Sequence, residues 1–274
     1  EAYTSLASLF IQAEKELYAG ASIEPGQTRP MRVTNVTRES DDVVSVRMAP
    51  EDGGAVPAFR AGQYVSVTIE LEPGYRQTRQ YSLSDAFEGA TMRISVKRED
   101  GAGAAAAGQV SNWIHANVKE GSVLQVSHPF GDFTPDTESN EPVVLLSAGV
   151  GITPMIAALN RIAAINPKRR IIFGFAARDA AHHPHKPDLA MAVAAMPNLQ
   201  VATFYETVGD GEPAKAGRMQ VSQLPSWPRT ETDVYMCGPL PFMQDQWQGL
   251  MSAGVPPARL HREVFGPEML DHLL

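Results

Sequence analysis

Between residues 31 and 135 apolar and polar side chains alternate in short runs, as half-buried β-strands require. The runs fall at 31–37, 43–48, 64–69, 79–84, 92–97 and 123–127, with turn signals at Asp52-Gly53-Gly54 and Pro73-Gly74. Antiparallel strands this short and closely spaced predict a six-stranded β-barrel. One helix interrupts them at 111–117, after an Ala-rich stretch, 102–107, that reads as a loop between glycines. Past Asn140 the texture changes: continuous apolar runs at 143–146, 171–175, 201–205 and 234–236 read as buried parallel strands. Helices are expected after Thr153, over 188–195 and after Pro241, so this half predicts a parallel α/β sheet. Ahead of both halves, Leu6, Leu9, Phe10, Ala13 and Leu17 recur at three- and four-residue spacing. They predict one amphipathic helix over 2–19, ended by Gly20. A lone helix cannot bury its own stripe, so this one packs on the domains after it or closes a domain that lies upstream. The expected division is therefore 1–25 for helix and linker, 26–137 for the barrel and 138–274 for the α/β domain.

Composition narrows the function. At 274 residues, 43% hydrophobic and 20% charged, the chain has room for two ordinary domains, and no apolar run approaches the length of a membrane span. A net charge of −8 argues against nucleic-acid or anionic-membrane binding, which needs a positive face. Cys237 is the single cysteine, so an internal disulfide is excluded and a reducing, cytoplasmic setting fits. An iron–sulfur cluster needs four thiolates, so a redox centre here is organic or belongs elsewhere. The chain begins at Glu1 without an initiator Met, which suits a fragment.

The chemistry concentrates in a few stretches. Arg79-Gln80-Tyr81-Ser82-Leu83-Ser84 combines a fixed cation, an aromatic plate and small hydroxyls in one alternating run. A flavin nucleotide suits it, with the ring on the tyrosine and the guanidinium on a pyrophosphate; an ordinary edge strand suits it equally. Gly149-Val150-Gly151-Ile152-Thr153-Pro154 follows the first buried strand and opens a helix, with Thr153 placed to cap it. A pyrophosphate there would meet free N–H groups and the positive helix end; the alternative is a plain strand-to-helix turn. Gly108-Gln109-Val110-Ser111 offers a second such place, or merely a capping Ser111. Cys237-Gly238-Pro239 ends the last apolar strand, where open α/β sheets bind ligands, although a lone cysteine is more often a small buried hydrophobe. Glu263-Val264-Phe265-Gly266-Pro267 carries a carboxylate and an aromatic that suit either a flavin cover or a final edge strand. His182, His183 and His185 have the wrong spacing and setting for a metal site and read as a solvated loop, so no metal is expected. No hydrolase signature stands out.

Arg-x-Tyr-Ser, Gly-x-x-Ser, Gly-Val-Gly-Ile-Thr-Pro, Cys-Gly-Pro and Phe-Gly-Pro, in that order, resemble the ferredoxin–NADP reductase superfamily. Within it, Gly62-Gln63-Tyr64, Val96-Lys97-Arg98-Glu99 and Gly108 to Trp113 look like the reductase half of flavohemoglobins, the nitric oxide dioxygenases, over about residues 28 to 268. The helix at 2–19 resembles their last globin helix; the rest of the globin is missing from this sequence. The resemblance implies a barrel that binds FAD through Tyr64, Arg79, Gln80, Tyr81, Ser82 and the stretch from Val264 to Pro267. It implies NAD(P)H on Gly149 to Pro154, Cys237 to Pro239 facing the nicotinamide, and Glu263 tuning the redox centre.

The expected reaction is hydride transfer from NAD(P)H to the flavin beside Tyr81, Ser82 and Phe265, then release of single electrons to a haem in a globin domain of the same protein. The alternatives are a stand-alone flavin reductase serving a separate acceptor, and a non-catalytic nucleotide sensor. Ala177-Arg178-Asp179 offers both a cation for a 2′-phosphate and a carboxylate for a ribose hydroxyl; family likeness favours NADH.

Overall fold

The computed structural model describes residues 27–101 and 106–265. The helix expected at 2–19, most of the Ala-rich loop, Gly266 and Pro267 lie outside the described residues.

The first half is one antiparallel sheet. Strands β1 (Thr28–Arg38), β2 (Val43–Pro50), β3 (Tyr64–Glu72), β4 (Tyr75–Ser82), β5 (Met92–Lys97) and, after helix α1 (Gln109–Asn117), β6 (Val123–Ser127) pair in the order β4-β3-β6-β1-β2-β5. The two end strands curl towards each other and meet at a Leu83–Ile94 bridge, where the Ser84 N–H donates to the Arg93 carbonyl at 2.8 Å. Alternation explains the curl: Val33, Val46, Met48, Val65, Val67, Ile94 and Leu124 point inward and form one core, which Ile114 and Val110 of α1 plug. β4 starts at Tyr75 and not at Arg79, because Gly74, at φ +80°, makes so tight a turn that pairing begins directly after it.

The second half is a parallel sheet. Its elements are β7 (Val143–Ala148), α2 (Ile152–Ile165), β8 (Ile171–Ala177), α3 (Lys186–Ala195), β9 (Leu199–Tyr205), β10 (Lys215–Ala216), β11 (Asp233–Cys237), α4 (Leu240–Ser252) and β12 (Leu260–Glu263). Strand order is β10-β9-β8-β7-β11-β12. The two-residue β10 and the short β12 were too brief for periodicity to reveal. β7 is central and buried at every position, which is why it reads as an unbroken apolar run. Chain order reverses at β7, with β8 on one side and β11 on the other, so the crevice at its carboxyl end is the topological switch point where such sheets take ligands. Met155, Ile156 and Leu159 of α2 pack on one face with Phe173 and Phe175; Leu250 of α4 and Trp227 cover the other.

A glycine holds the join. Gly62, at φ +96°, lies against the segment that leaves the barrel; a Cβ there would fall inside the Phe133 carbonyl oxygen and 2.9 Å from Pro135 Cδ. Gly62→Ala is expected to lose at least about 2 kcal/mol, the worth of a strained left-handed backbone plus a clash; urea unfolding with an unchanged midpoint would refute this.

Candidate functional site

The parallel sheet builds its half of the site from two glycine turns. At the carboxyl end of β7, Gly149–Gly151 forms a single 3-10 turn, and Gly149 takes φ +54° with open space where a Cβ would stand. Gly151 lies so close to the Cys237 carbonyl that any side chain there would clash with it and with Gly238 N at 2.7 Å. This approach sets the two motifs side by side and explains why both are glycine-rich. Gly151 is the N-cap of α2, and Thr153 sits inside the first turn, where its hydroxyl donates to the Val150 carbonyl at 3.1 Å. Thr153 therefore does not cap the helix as its position suggested. No side chain caps α2, which leaves the first N–H groups of the helix to a ligand. Ile152 and Pro154 are buried and act only through the backbone they shape.

Across from this turn, the barrel contributes the segment after β5. A cleft of about 1210 Å³ runs between the halves, and Gly149, Val150, Pro239 and Phe265 line one wall. Lys97, Arg98, Gly101 and Gly108 line the other. Sequence reasoning missed several residues of the cleft: Glu206 at the end of β9, Arg218, Phe242 and Asp245. Glu206 was within reach, since it directly follows a parallel strand, where ligand contacts cluster.

Helix α1 begins earlier than expected, with Gly108 as its N-cap and no side-chain cap. Ser111 is not the N-cap; its Oγ accepts from the Glu99 N–H and donates to the Gly108 carbonyl, both at 3.2 Å, tying the helix to the end of β5. Gln109 accepts from the Tyr75 hydroxyl at 3.4 Å, and Val110 is a core residue.

The Arg79–Ser84 stretch lies along the edge strand β4 and just beyond it, outside the lining of that cleft. Arg79 and Gln80 are exposed, with the Arg79 guanidinium donating to the Thr78 carbonyl at 2.8 Å. Tyr81 is half-buried against the barrel core, and burial pushes its hydroxyl up to about 12 against the pull of Arg79. Ser82 is 6% exposed, and its Oγ finds no hydrogen-bond partner among the described residues. A buried hydroxyl without a partner costs about 1–3 kcal/mol, so this atom fits a ligand with a polar edge, as a flavin has. Tyr64 pairs with Ser82 across the ladder and sets its ring edge-on to Phe130 at 5.3 Å, while Gly131 leaves room for that ring.

Cys237 is fully buried with the α2 side of the core, and burial raises its thiol well above the ordinary value, so it is a small hydrophobe and not a nucleophile. Its register partner on β12 is Glu263. Burial first, and the Asp132 charge second, push the Glu263 carboxyl up to about 7. Phe265 is half-buried against the parallel-sheet core while lining the cleft. Val264 is half-buried beside it.

The histidines overturn one expectation. The 182–185 segment is not a solvated loop: His183 is 4% exposed and His185 is fully buried. His183 stacks on Phe175 at 4.1 Å and hydrogen-bonds the Tyr205 hydroxyl at 2.7 Å. Burial, then the charges of Lys186 and His185, pull His183 down to about 3, so it is neutral.

A curled barrel beside a doubly wound sheet, with a glycine turn facing the cleft between them, defines a two-domain flavin and pyridine-nucleotide oxidoreductase. Residues 30–134 match the oxidoreductase FAD-binding domain and residues 145–248 the oxidoreductase NAD-binding domain. The flavohemoprotein of Bordetella pertussis is 44% identical over 97% of this chain and 68% of its own length, and that of Chromobacterium violaceum is 42% identical over 97% and 68%. The FAD/NAD-binding domain of a Vibrio cholerae nitric oxide dioxygenase superposes with a TM-score of 0.81 at 38% identity, covering 88% of this chain and 100% of that one. Flavohemoglobin of Malassezia yamatoensis gives 0.83 at 29% identity, over 96% of this chain and 66% of that one. The chain belongs to the flavohemoprotein family, as an FAD- and NAD(P)H-dependent oxidoreductase module of the ferredoxin–NADP reductase superfamily.

The Glu263 carboxyl gives a pH prediction. Between its ordinary value near 4.5 and about 7, the folded protein holds a proton that the unfolded chain has lost. Stability from this group therefore falls as pH rises through that window. Glu263→Gln should shrink the loss of Tm between pH 5 and pH 8 by about 2–4 °C; parallel melting curves for variant and parent would disprove the shift.

Proposed function

We propose that this chain is the reductase part of a nitric oxide dioxygenase, taking a hydride from NADH and handing single electrons to a haem held by a globin domain of the same protein. The single observation that carries the flavin site is the buried, unpartnered Ser82 Oγ on the strand that also presents Tyr81 and Arg79. FAD, when bound, supplies the redox chemistry by accepting a hydride and releasing electrons one at a time. The residues do the holding. Arg79 extends a guanidinium suited to a diphosphate, Tyr64 and Tyr81 give apolar faces, and Ser82 and the neighbouring Gln80 and Tyr81 backbone groups orient the ring edge. The α1 N-terminus, with Gly108 and Gln109, gives a further anion contact. On the other wall, Gly149 to Pro154 take the nucleotide pyrophosphate at the α2 N-terminus, Gly238 and Pro239 border the nicotinamide end, and Phe265 covers the join. Glu263, with its raised carboxyl, holds a proton near that end.

The domain division at residues 137 and 138 accords with this assignment, with the FAD in the first domain and the dinucleotide in the second. NADH is favoured over NADPH. Glu206 stands at the end of β9 in the cleft, where a carboxylate accepts from ribose hydroxyls, and Arg218 lies 3.8 Å from it. Arg178 is turned towards Asp42 at 3.1 Å, and Asp179 towards His182. No helix among the described residues is long and apolar enough to cross a membrane, which suits a cytoplasmic enzyme.

The purified chain should carry a flavin spectrum that NADH bleaches, without a haem Soret band; a protein that binds no flavin, or one with a Soret band, contradicts the assignment. Arg79→Ala should weaken FAD retention by at least about 1.5–3 kcal/mol, the worth of a charge-assisted hydrogen bond. Equilibrium dialysis giving an unchanged affinity would show that the diphosphate lies elsewhere.

A further inference from the structure

Between the two sheets lies a buried polar cluster that the flavin and nucleotide sites do not use. Arg93 of β5 reaches Asp188 of α3 through two hydrogen bonds, at 2.9 and 3.2 Å, and donates to the Ser84 carbonyl at 2.5 Å. Asn160 of α2 donates to both Asp85 and Asp188 at 3.0 Å, and Arg47 pairs with Asp85. His185 stands at the centre, in the left-handed backbone region at φ +60°, the one residue other than glycine with positive φ among the described residues. Its N–H donates to Glu39 at 3.2 Å, so a carboxylate at the β1–β2 turn helps hold that conformation.

The hydrogen bonds fix what the imidazole carries. Nδ1 faces Asp188 Oδ2 at 3.0 Å and Glu39 Oε1 at 3.8 Å. Burial alone would raise the Asp188 carboxyl, but hydrogen bonds from His185, Arg93 and Asn160 hold it well below the usual carboxylate range. It only accepts, so Nδ1 bears a proton. Nε2 faces Ser95 Oγ at 2.9 Å. Ser84 spends its proton on the Arg93 carbonyl, and Ser95 spends its own on Ser84 Oγ at 2.8 Å. Ser45 Oγ, 2.8 Å away, then donates to Ser95 Oγ, whose remaining lone pair accepts from Nε2, so that nitrogen bears a proton too. The charges agree: Asp85 and Asp188 pair with the guanidiniums of Arg47 and Arg93, Glu39 faces His185, and a protonated His185 makes the set neutral. Of the other cations nearby, Lys186 is exposed and donates to the Ala180 carbonyl, while His183 is neutral.

We propose that His185 is a positioning residue, a buried imidazolium that clasps the nucleotide-binding sheet to the barrel in the register hydride transfer needs. The inference rests on the reductase reading above. The clasp ties the residues directly after Ser82, through Ser84, Asp85 and Arg93, to α3 and to α2, the helix that the Gly149–Gly151 turn leads into. Ligand atoms of Glu39, His185 and Asp188 lie within 4.8 Å of one another, as a metal site would require. Asp188 is already saturated by Arg93, Asn160 and His185, however, and a dication would stand beside a guanidinium, so the group between these carboxylates is a proton-bearing ring and not a metal.

Nitrogen-15 NMR of histidine-labelled, FAD-loaded protein at neutral pH reads the ring directly, with His185→Asn providing the assignment. Both His185 nitrogens should show imidazolium shifts; a neutral-imidazole pattern overturns the clasp, and this readout needs no variant to be active. In stopped-flow mixing at saturating NADH, His185→Asn and Asp188→Asn should slow flavin bleaching at least tenfold while FAD content and reduction by dithionite stay within twofold. The double variant His185→Gln with Asp188→Asn, which restores charge balance, should bleach faster than Asp188→Asn alone. Parent-like bleaching by both folded, loaded single variants overturns the proposal. Failure of the parent flavin to bleach with NADH would overturn the reductase reading instead, and would leave the ring spectrum as it is.

Discussion

The ion pair between Arg93 and Asp188 joins two sheets that otherwise bury separate cores. Arg93 is 8% exposed and Asp188 7%, so both charges have left water, and removing one partner of such a pair typically costs about 3–5 kcal/mol. Its worth as a stabiliser is small, because desolvation offsets most of the attraction. Its worth as a constraint is larger. A guanidinium that forks onto one carboxylate, with Asn160 and His185 filling that carboxylate's remaining lone pairs, tolerates only one relative placement of β5, α2 and α3.

That placement gives the cleft its meaning. Hydride transfer depends on two rings being held within a narrow range of distance and angle, and neither domain can set this alone. The parallel sheet presents a glycine turn at its switch point, packed so tightly on the Cys237 carbonyl that its backbone cannot shift independently of β11. The barrel presents a strand whose one buried hydroxyl lacks a partner. The geometry between them is carried by the polar cluster, by Asp41, whose N–H donates to the Ala181 carbonyl across the interface at 2.9 Å, and by Asp42, which accepts from Arg178 at 3.1 Å.

Glu263 shows how the same packing shifts an acidity. Its place on β12 opposite Cys237 puts a carboxylate among apolar neighbours near Asp132. A carboxyl raised to about 7 exchanges its proton at the pH of the cell, whereas the thiol beside it stays protonated and inert.

Periodicity alone determined the two textures, since alternation with period two and continuous apolar runs arise directly from which faces of a strand are buried. The glycine positions were legible for the same local reason: Gly149 and Gly151 lie between a strand and a helix that only a tight turn can join. Capping was less legible. Ser111 and Thr153 each fall a residue or more inside a helix that begins earlier, because the backbone of Gly108 and of Gly151 makes the turn without a side chain. The histidines were not legible at all. Three of them within four residues of a Pro-rich segment resemble solvated loop, and only the docking of Ser95 and Glu39 from the other domain, some 90 and 146 residues away in sequence, decides that His185 is buried and what it bonds. Local pattern reports what a residue's neighbours in the chain require, while partners brought from another domain are set by tertiary packing and leave no period to read.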